Sequence, residues 1–229
     1  MHQKTIAINR YIDKNTTKMA RVLNFTQFIN EAEDQKKIEY IYDKAGKEVE
    51  KAILNLEGSD SAQMTKLMNK FVETYELLKQ AQESHDEVKD VLKDKINESF
   101  TEELKFVTRI INTVKYAFTF SKYTKAKEET SEVVDYKAAM NEMMEIFPDI
   151  KDGLKEIIKK HTEIKKVVKK EISGSIKYTH VTLNEGLSEI LKGLITKLEG
   201  IFSSLYRSLK TIGGRIDDKF EKIDSLLKG

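Results

Sequence analysis

Hydrophobic residues recur along most of this chain at steps of three and four positions, which is the period of one face of an α-helix. A first stripe of this kind covers residues 33–56 and stops at Gly58. A second covers residues 61–96, but Gln82 and His85 take hydrophobic positions in its middle. We therefore predict two long amphipathic helices joined by a short turn, the second of which bends or projects where its stripe becomes polar.

Three further helices are predicted in the middle of the chain. Residues 99–102 read Ser-Phe-Thr-Glu, a capping-box pattern, and they open the most apolar stripe, 104–120, which we expect near the centre of the core. A methionine-rich helix covers 133–147, and we interpret its methionines as core filling rather than as an adaptable partner surface. Pro148, the only proline, separates this helix from the next, at 149–172.

The longest regular pattern lies between residues 183 and 227. Its hydrophobic positions follow the 4-3 spacing of a coiled-coil seam, and only Ser208 interrupts them before residue 212. The predicted helix-packing seam consists of Leu187, Leu191, Leu194, Leu198, Ile201, Leu205 and Ile212.

Glycines within this last pattern carry two further expectations. Gly213 and Gly214 are adjacent and permit a kink in the helix. Gly186, Gly193 and Gly200 recur every seven residues. Because each glycine destabilises a helix by ~1 kcal/mol relative to alanine, this recurrence predicts that another helix approaches closely along the glycine stripe.

The composition agrees with a helical protein. Ten glycines, one proline and 34% charged residues are typical of long amphipathic helices. We predict an all-α fold, an elongated multi-helix bundle with a long C-terminal helix or coiled-coil-like arm. The predicted parts are a leader at 1–31, a helical bundle at 32–147, and a basic helix plus long amphipathic helices at 148–229.

Basic charge collects in the last third of the chain. Residues 151–229 contain 17 Lys/Arg and 11 Asp/Glu, a net charge of +6, whereas residues 1–150 have a net charge of −4. In the 149–172 helix, six lysines share one arc beside the hydrophobic face: Lys151, Lys155, Lys159, Lys166, Lys169 and Lys170. We call these six residues the lysine row.

The lysine row predicts contact with a polyanion. From its first member to its last it extends ~28 Å at 1.5 Å per residue, and ammonium groups in such a row bind phosphates without reading sequence. The alternative is a solvated lysine face on a stable helix, with Glu156 and Glu163 on the other flank. His161 lies within the hydrophobic stripe of this helix, and we interpret it as a packed histidine.

Signatures of chemistry are absent from the sequence. The four histidines, His2, His85, His161 and His180, form no His-x-x-His or Glu-x-x-His pair, so local spacing indicates neither a zinc site nor a di-iron site. No Gly-rich phosphate loop and no nucleophile elbow occurs. Zero cysteines exclude disulfides and thiolate metal sites. We predict a protein that is not an enzyme, with no cofactor and no metal.

A short aromatic patch precedes the first stripe. As a helix it places Phe25, Phe28, Ile29 and Ala32 on one face, a small apolar surface able to dock in a partner's groove. The sequence Ile29-Asn30-Glu31-Ala32 resembles the end of the N-terminal leader in head proteins of T-even-type phages, where a maturation protease cuts after the glutamate. Phe25, Phe28, Ile29, Glu31 and Ala32 are thus the predicted targeting and cleavage residues.

The resemblance implies a function and a location. It implies a non-enzymatic internal head protein, carried into the prohead with phage head and scaffold proteins, packaged with DNA and delivered to the host. The expected locations are the head interior of the virion and the host cytoplasm. Met19 is a candidate for the natural start, which would place the aromatic patch near the N-terminus.

Three other interpretations stay open. The aromatic patch is alternatively the first turns of a helix that continues through Leu56. The protein is alternatively a helical assembly protein that forms a homo-oligomer through its C-terminal seam, without a nucleic-acid role. It is alternatively an amphipathic protein of a membrane surface, although Glu185, Glu189 and Glu199 oppose binding to anionic lipid.

Overall fold

The computed structural model describes residues 25–59, 61–92, 97–125, 136–178 and 185–228, and the side chains of residues 37–59, 61–88, 101–121, 137–170 and 192–227. Within these ranges there are six α-helices and no β-strand. The helices are α1 (Phe25–Leu56), α2 (Ala62–Leu92), α3 (Asn97–Lys125), α4 (Tyr136–Met144), α5 (Ile146–Tyr178) and α6 (Glu185–Lys228). The all-α bundle and its long C-terminal helix are confirmed.

Residues Ile38–Gly229 form one compact unit. Helix α5 packs against α2 and α6, and α6 also contacts α3 and α4. Side chains from both sides of Pro148 therefore share one hydrophobic core, with Phe71 and Phe106 among its largest fully buried members. Met140 and Met143 are buried in it, which confirms their interpretation as core filling.

Local chemistry explains where the helices end. Gly58, just beyond α1, has a φ of +77°, a left-handed conformation that glycine adopts without a Cβ penalty and that commonly closes a helix. Pro148 lies in the first turn of α5, where its missing N–H removes no helical hydrogen bond. Helix α3 begins at Asn97, so Ser99 lies inside it and not at its N-cap.

One glycine allows α3 and α5 to approach closely. A Cβ added to Gly153 on α5 would lie 2.0 Å from Phe106 Cζ on α3, far inside van der Waals contact. By contrast, Gly193 and Gly200 on α6 are exposed, and an added Cβ would meet no atom of the described residues within 4 Å. The predicted close approach is therefore wrong at these two positions.

Helix α6 continues through Gly213 and Gly214. Gly213 leaves room for the side chain of Arg109 on α3, because a Cβ at position 213 would lie 2.5 Å from Arg109 Nη1. The Arg109 guanidinium passes over this glycine and binds Asp217 one turn further along, through Nε and Nη2 at 2.9 and 2.8 Å.

The predicted seam of α6 faces the core of the same chain. Leu198, Leu205 and Ile212 are buried, and Leu194 and Ile201 pack partly against the core. Phe202 and Leu209, which the 4-3 spacing omitted, are buried beside them. The wider stripe arises because α6 lies on several helices rather than on one partner helix. Leu187 and Leu191 lie outside the described side chains.

The aromatic patch belongs to α1. Phe25, Phe28, Ile29, Glu31 and Ala32 lie in its first turns, and the helix continues without a break to Leu56, as the alternative interpretation expected. Their side chains, and the rest of the predicted leader at 1–24, lie outside the described residues.

Helix length and polarity also bear on membranes. Among the described helices, none has a stretch long and apolar enough to cross a bilayer.

Candidate functional site

The lysine row lies along one exposed side of α5. All six lysines are exposed. Helix geometry explains the arrangement, since steps of three and four residues return each lysine to nearly the same side of the helix. The structure therefore brings the predicted row together on a single continuous element.

Acidic groups neighbour the N-terminal half of the row. Lys151 Nζ lies 3.6 Å from an Oε of Glu73 on α2, and Lys159 Nζ lies 3.7 Å from an Oε of Glu156. Lys155 and Lys159 also line a shallow groove between α5 and α6 together with Asp152 and Glu156. These exposed ion pairs are weak, but they reduce the positive potential of this half.

The C-terminal half of the row has a different environment. Lys166, Lys169 and Lys170 form no ion pair with any other side chain that the structure describes. Two nearby acids with described side chains are engaged by other lysines, Glu163 by Lys160 at 3.0 Å and Glu87 by Lys165. Three ammonium groups therefore project from this part of α5 without an acidic partner among the described side chains.

A second site, which the sequence did not predict, is buried in the bundle. His85 on α2, Glu103 on α3 and His161 on α5 meet there, and we call these three residues the His–Glu–His cluster. Their side chains are at most 2% exposed. The Nδ1 atom of His85 lies 3.3 Å from Glu103 Oε1, and His161 Nε2 lies 3.4 Å from Glu103 Oε2.

Neighbouring hydroxyls fix the orientation of the cluster. The Tyr42 hydroxyl donates a hydrogen bond to Glu103 Oε1 at 2.6 Å. The Ser84 hydroxyl donates to the carbonyl oxygen of Ala81 at 2.8 Å and lies 3.1 Å from His161 Nδ1. Since the hydroxyl has one hydrogen and uses it on the carbonyl, Ser84 Oγ accepts from His161 Nδ1–H.

The electrostatics of the cluster favour an ionised carboxylate. Burial by itself raises the pKa of Glu103. The electrostatic attraction of His161 and His85 together has a larger effect, and it holds the pKa of this carboxyl well below its usual range. Burial raises the pKa of the Tyr42 hydroxyl well above its usual value, and the Glu103 carboxylate raises it further. Tyr42 is therefore a neutral donor to an anionic acceptor.

A weak signal of this cluster was present in the sequence. His161 is buried, which confirms its interpretation as a packed histidine, and His85 is buried as well. Both occupy positions of a hydrophobic stripe. A spacing motif detects ligands that lie close together on one helix. These three residues come from three helices, with 18 positions between His85 and Glu103 and 58 between Glu103 and His161. Only the packing of the helices brings them together.

Comparison of the chain with protein-family models, with curated proteins and with solved structures finds no match.

Proposed function

We propose that this chain is a non-enzymatic helical protein of a phage head that lies against packaged DNA through the lysine row of α5. The observation that carries the DNA contact is the exposed trio Lys166, Lys169 and Lys170, which lacks acidic partners among the described side chains. The phage assignment rests on the resemblance of residues 29–32 to a head-protein leader. The two parts can fail separately, and each has its own test.

Counterion release sets the expected behaviour of the DNA contact. Each phosphate neutralised on B-DNA contributes about −0.9 to the slope of log affinity against log salt concentration. Contact by all six lysines therefore gives a slope of about −5, and contact by the trio alone gives about −3. No sequence preference is expected, because lysines on phosphates position a protein without reading bases.

Salt-titrated fluorescence anisotropy on a random-sequence duplex tests this contact. The variant with Lys166, Lys169 and Lys170 all changed to Gln should lose about 3 from the magnitude of the slope. A matched control changes Lys44, Lys47 and Lys66, which are exposed lysines on α1 and α2, to Gln. This control removes the same net charge. Equal losses of slope in the two variants would assign binding to overall charge and refute a site on α5.

The phage assignment is tested by intact mass and N-terminal sequencing of the protein from its native source. An N-terminus at Ala32 supports removal of the leader inside a prohead. An intact N-terminus at Met1 or Met19 removes the main support for a head protein.

Homo-oligomerisation is the competing proposal, and the packing of α6 opposes it. Leu198, Leu205 and Ile212 are already buried within the chain, so a second copy would have to displace them from the core. Sedimentation equilibrium distinguishes the two proposals, because a monomer at every concentration excludes a function that depends on self-association. Liposome co-sedimentation tests the membrane-surface proposal in the same way.

A further inference from the structure

We propose that His85, Glu103 and His161 form a binding site for one divalent transition-metal ion of the kind that imidazole and carboxylate ligands prefer, with Zn²⁺ as the reference ion. One potential ligand atom from each residue lies within 4.8 Å of the other two. The three residues come from α2, α3 and α5, so a bound ion would join three helices of the bundle.

The two separations between the Glu103 carboxylate and the histidine nitrogens match a metal site better than strong hydrogen bonds. Zinc binds nitrogen and oxygen at ~2.0–2.2 Å, which makes the separation of two ligands in a tetrahedral site ~3.3–3.5 Å. The observed separations are 3.3 Å from Glu103 Oε1 to His85 Nδ1 and 3.4 Å from Glu103 Oε2 to His161 Nε2, so both carboxylate oxygens face the place an ion would take. Good hydrogen bonds to carboxylate are ~2.7–2.9 Å long.

The position of the proton on the His161 ring leaves two lone pairs facing each other, one on His161 Nε2 and one on Glu103 Oε2. His161 donates through Nδ1–H to Ser84, so in the neutral ring Nε2 carries no hydrogen. This Nε2 faces Glu103 Oε2, and neither atom has a hydrogen-bond partner among the described residues. Two buried acceptors in this arrangement repel unless a cation lies between them. A metal ion is one such cation, and a second proton on His161 is the other.

The surroundings resemble those of metal-bound histidines. A histidine that binds a metal through one nitrogen generally donates its other N–H to a nearby acceptor, which fixes the ring. Ser84 Oγ is that acceptor for His161, and it is itself oriented by Ala81. Tyr42 donates to Glu103 Oε1 and so fixes the carboxylate with Oε2 facing His161 Nε2.

The ligand set defines the class of ion. Two imidazoles and one carboxylate occur in zinc and non-haem iron sites, whereas Mg²⁺ and Ca²⁺ prefer oxygen ligands throughout. Since the cluster is fully buried, the expected role of the ion is structural cross-linking of the bundle rather than catalysis. The proposal stands independently of the DNA contact, because the cluster shares no residue with the lysine row.

Thermal unfolding and cobalt absorption test the site on tag-free, full-length protein treated with a chelator. One equivalent of Co²⁺ should give visible absorption bands of a low-symmetry site with nitrogen and oxygen ligands. Zn²⁺ at a 100-fold excess over its Kd should raise the Tm by roughly 5–10 °C. Both signals should be lost in His161→Gln. Thr113→Val, which changes another buried polar residue of the bundle, should keep both.

A variant that retains all three ligands guards against misfolding of His161→Gln. In Ser84→Ala the ring of His161 loses its acceptor, so we expect Zn²⁺ affinity to fall 10–100-fold with one ion still bound. The proposal is overturned if the folded wild-type protein shows neither the cobalt bands nor a rise in Tm. It is also overturned if Ser84→Ala and a folded His161→Gln bind the ions as the wild type does, which would place them on surface groups.

Discussion

Replacing Gly153 with alanine tests how the His–Glu–His cluster is assembled. On α5, Gly153 lies on the same face as His161, two turns away, and on α3 Phe106 lies one turn from Glu103. The contact between Gly153 and Phe106 therefore sets how closely the two helices approach beside the cluster. A side chain at position 153 should separate them.

The magnitude follows from the packing. An alanine Cβ would lie 2.0 Å from Phe106 Cζ and 2.3 Å from Cε2, whereas carbon atoms in contact lie ~3.5–4.0 Å apart. Phe106 is fully buried, so its ring would have to be displaced within the packed core. Overpacking of this kind costs ~3 kcal/mol, the upper end of the usual range, and the better helix propensity of alanine returns ~1 kcal/mol. We expect a net destabilisation of about 2 kcal/mol.

Differential scanning calorimetry measures the effect, and the chain supplies its own control. A loss of about 2 kcal/mol lowers the Tm by roughly 4–8 °C for a domain of this size. Gly200→Ala, on the exposed face of α6, has only the propensity term and should raise the Tm by roughly 2–4 °C. The same substitution thus has opposite signs at two helical positions. Adding Phe106→Leu to Gly153→Ala should recover part of the loss, with a coupling of ~0.5–3 kcal/mol.

A rise in Tm for Gly153→Ala, similar to that for Gly200→Ala, would refute this reasoning. It would mean that α3 and α5 do not approach closely at this point. The geometry of Glu103 and His161 would then lack its stated cause.

Two other predictions concern polar contacts of α6. Burial, followed by the hydrogen bond from its hydroxyl to Asp224 Oδ1 at 2.6 Å, raises the pKa of Tyr116. The stability that this hydrogen bond provides is complete below the unfolded-state pKa of ~10 and is lost as the pH rises above it. In chemical denaturation from pH 8 to 11, the free energy of unfolding should therefore decline less for Tyr116→Phe than for wild type. Equal declines would contradict this prediction. Asp149 accepts hydrogen bonds from Arg215 and Lys219 at 2.6–2.7 Å. In urea unfolding, Asp149→Ala should therefore lower the free energy of unfolding by ~2–3 kcal/mol. The control Asp152→Ala, at an exposed position of the same helix, should lower it by less than ~0.5 kcal/mol.

Periodicity along one helix predicts what lies on that helix and little else. The lysine row and the buried methionines of α4 were predictable because their positions follow from 3.6 residues per turn. The seam of α6 was only partly predictable. Its 4-3 spacing describes contact with one partner helix, and the actual contact with several helices buries Phe202 and Leu209 as well.

Relationships between helices were not predictable from spacing. Gly193 and Gly200 recur regularly yet face open space, whereas Gly153 and Gly213, which follow no repeat, lie against Phe106 and Arg109. The cluster has the same character. His85 and His161 were visible as polar residues in apolar stripes, but their meeting with Glu103 depends on the register of three packed helices.

The unbroken course of α1 has a consequence for any maturation step. Proteases generally bind the substrate backbone in an extended conformation. The peptide bond between Glu31 and Ala32 lies within a helix. Cleavage of this bond would therefore require the first turns of α1 to unwind, and where rewinding is fast the rate of cleavage would follow the population of the unwound form. The stability of the first turns of α1 would then set the rate of cleavage.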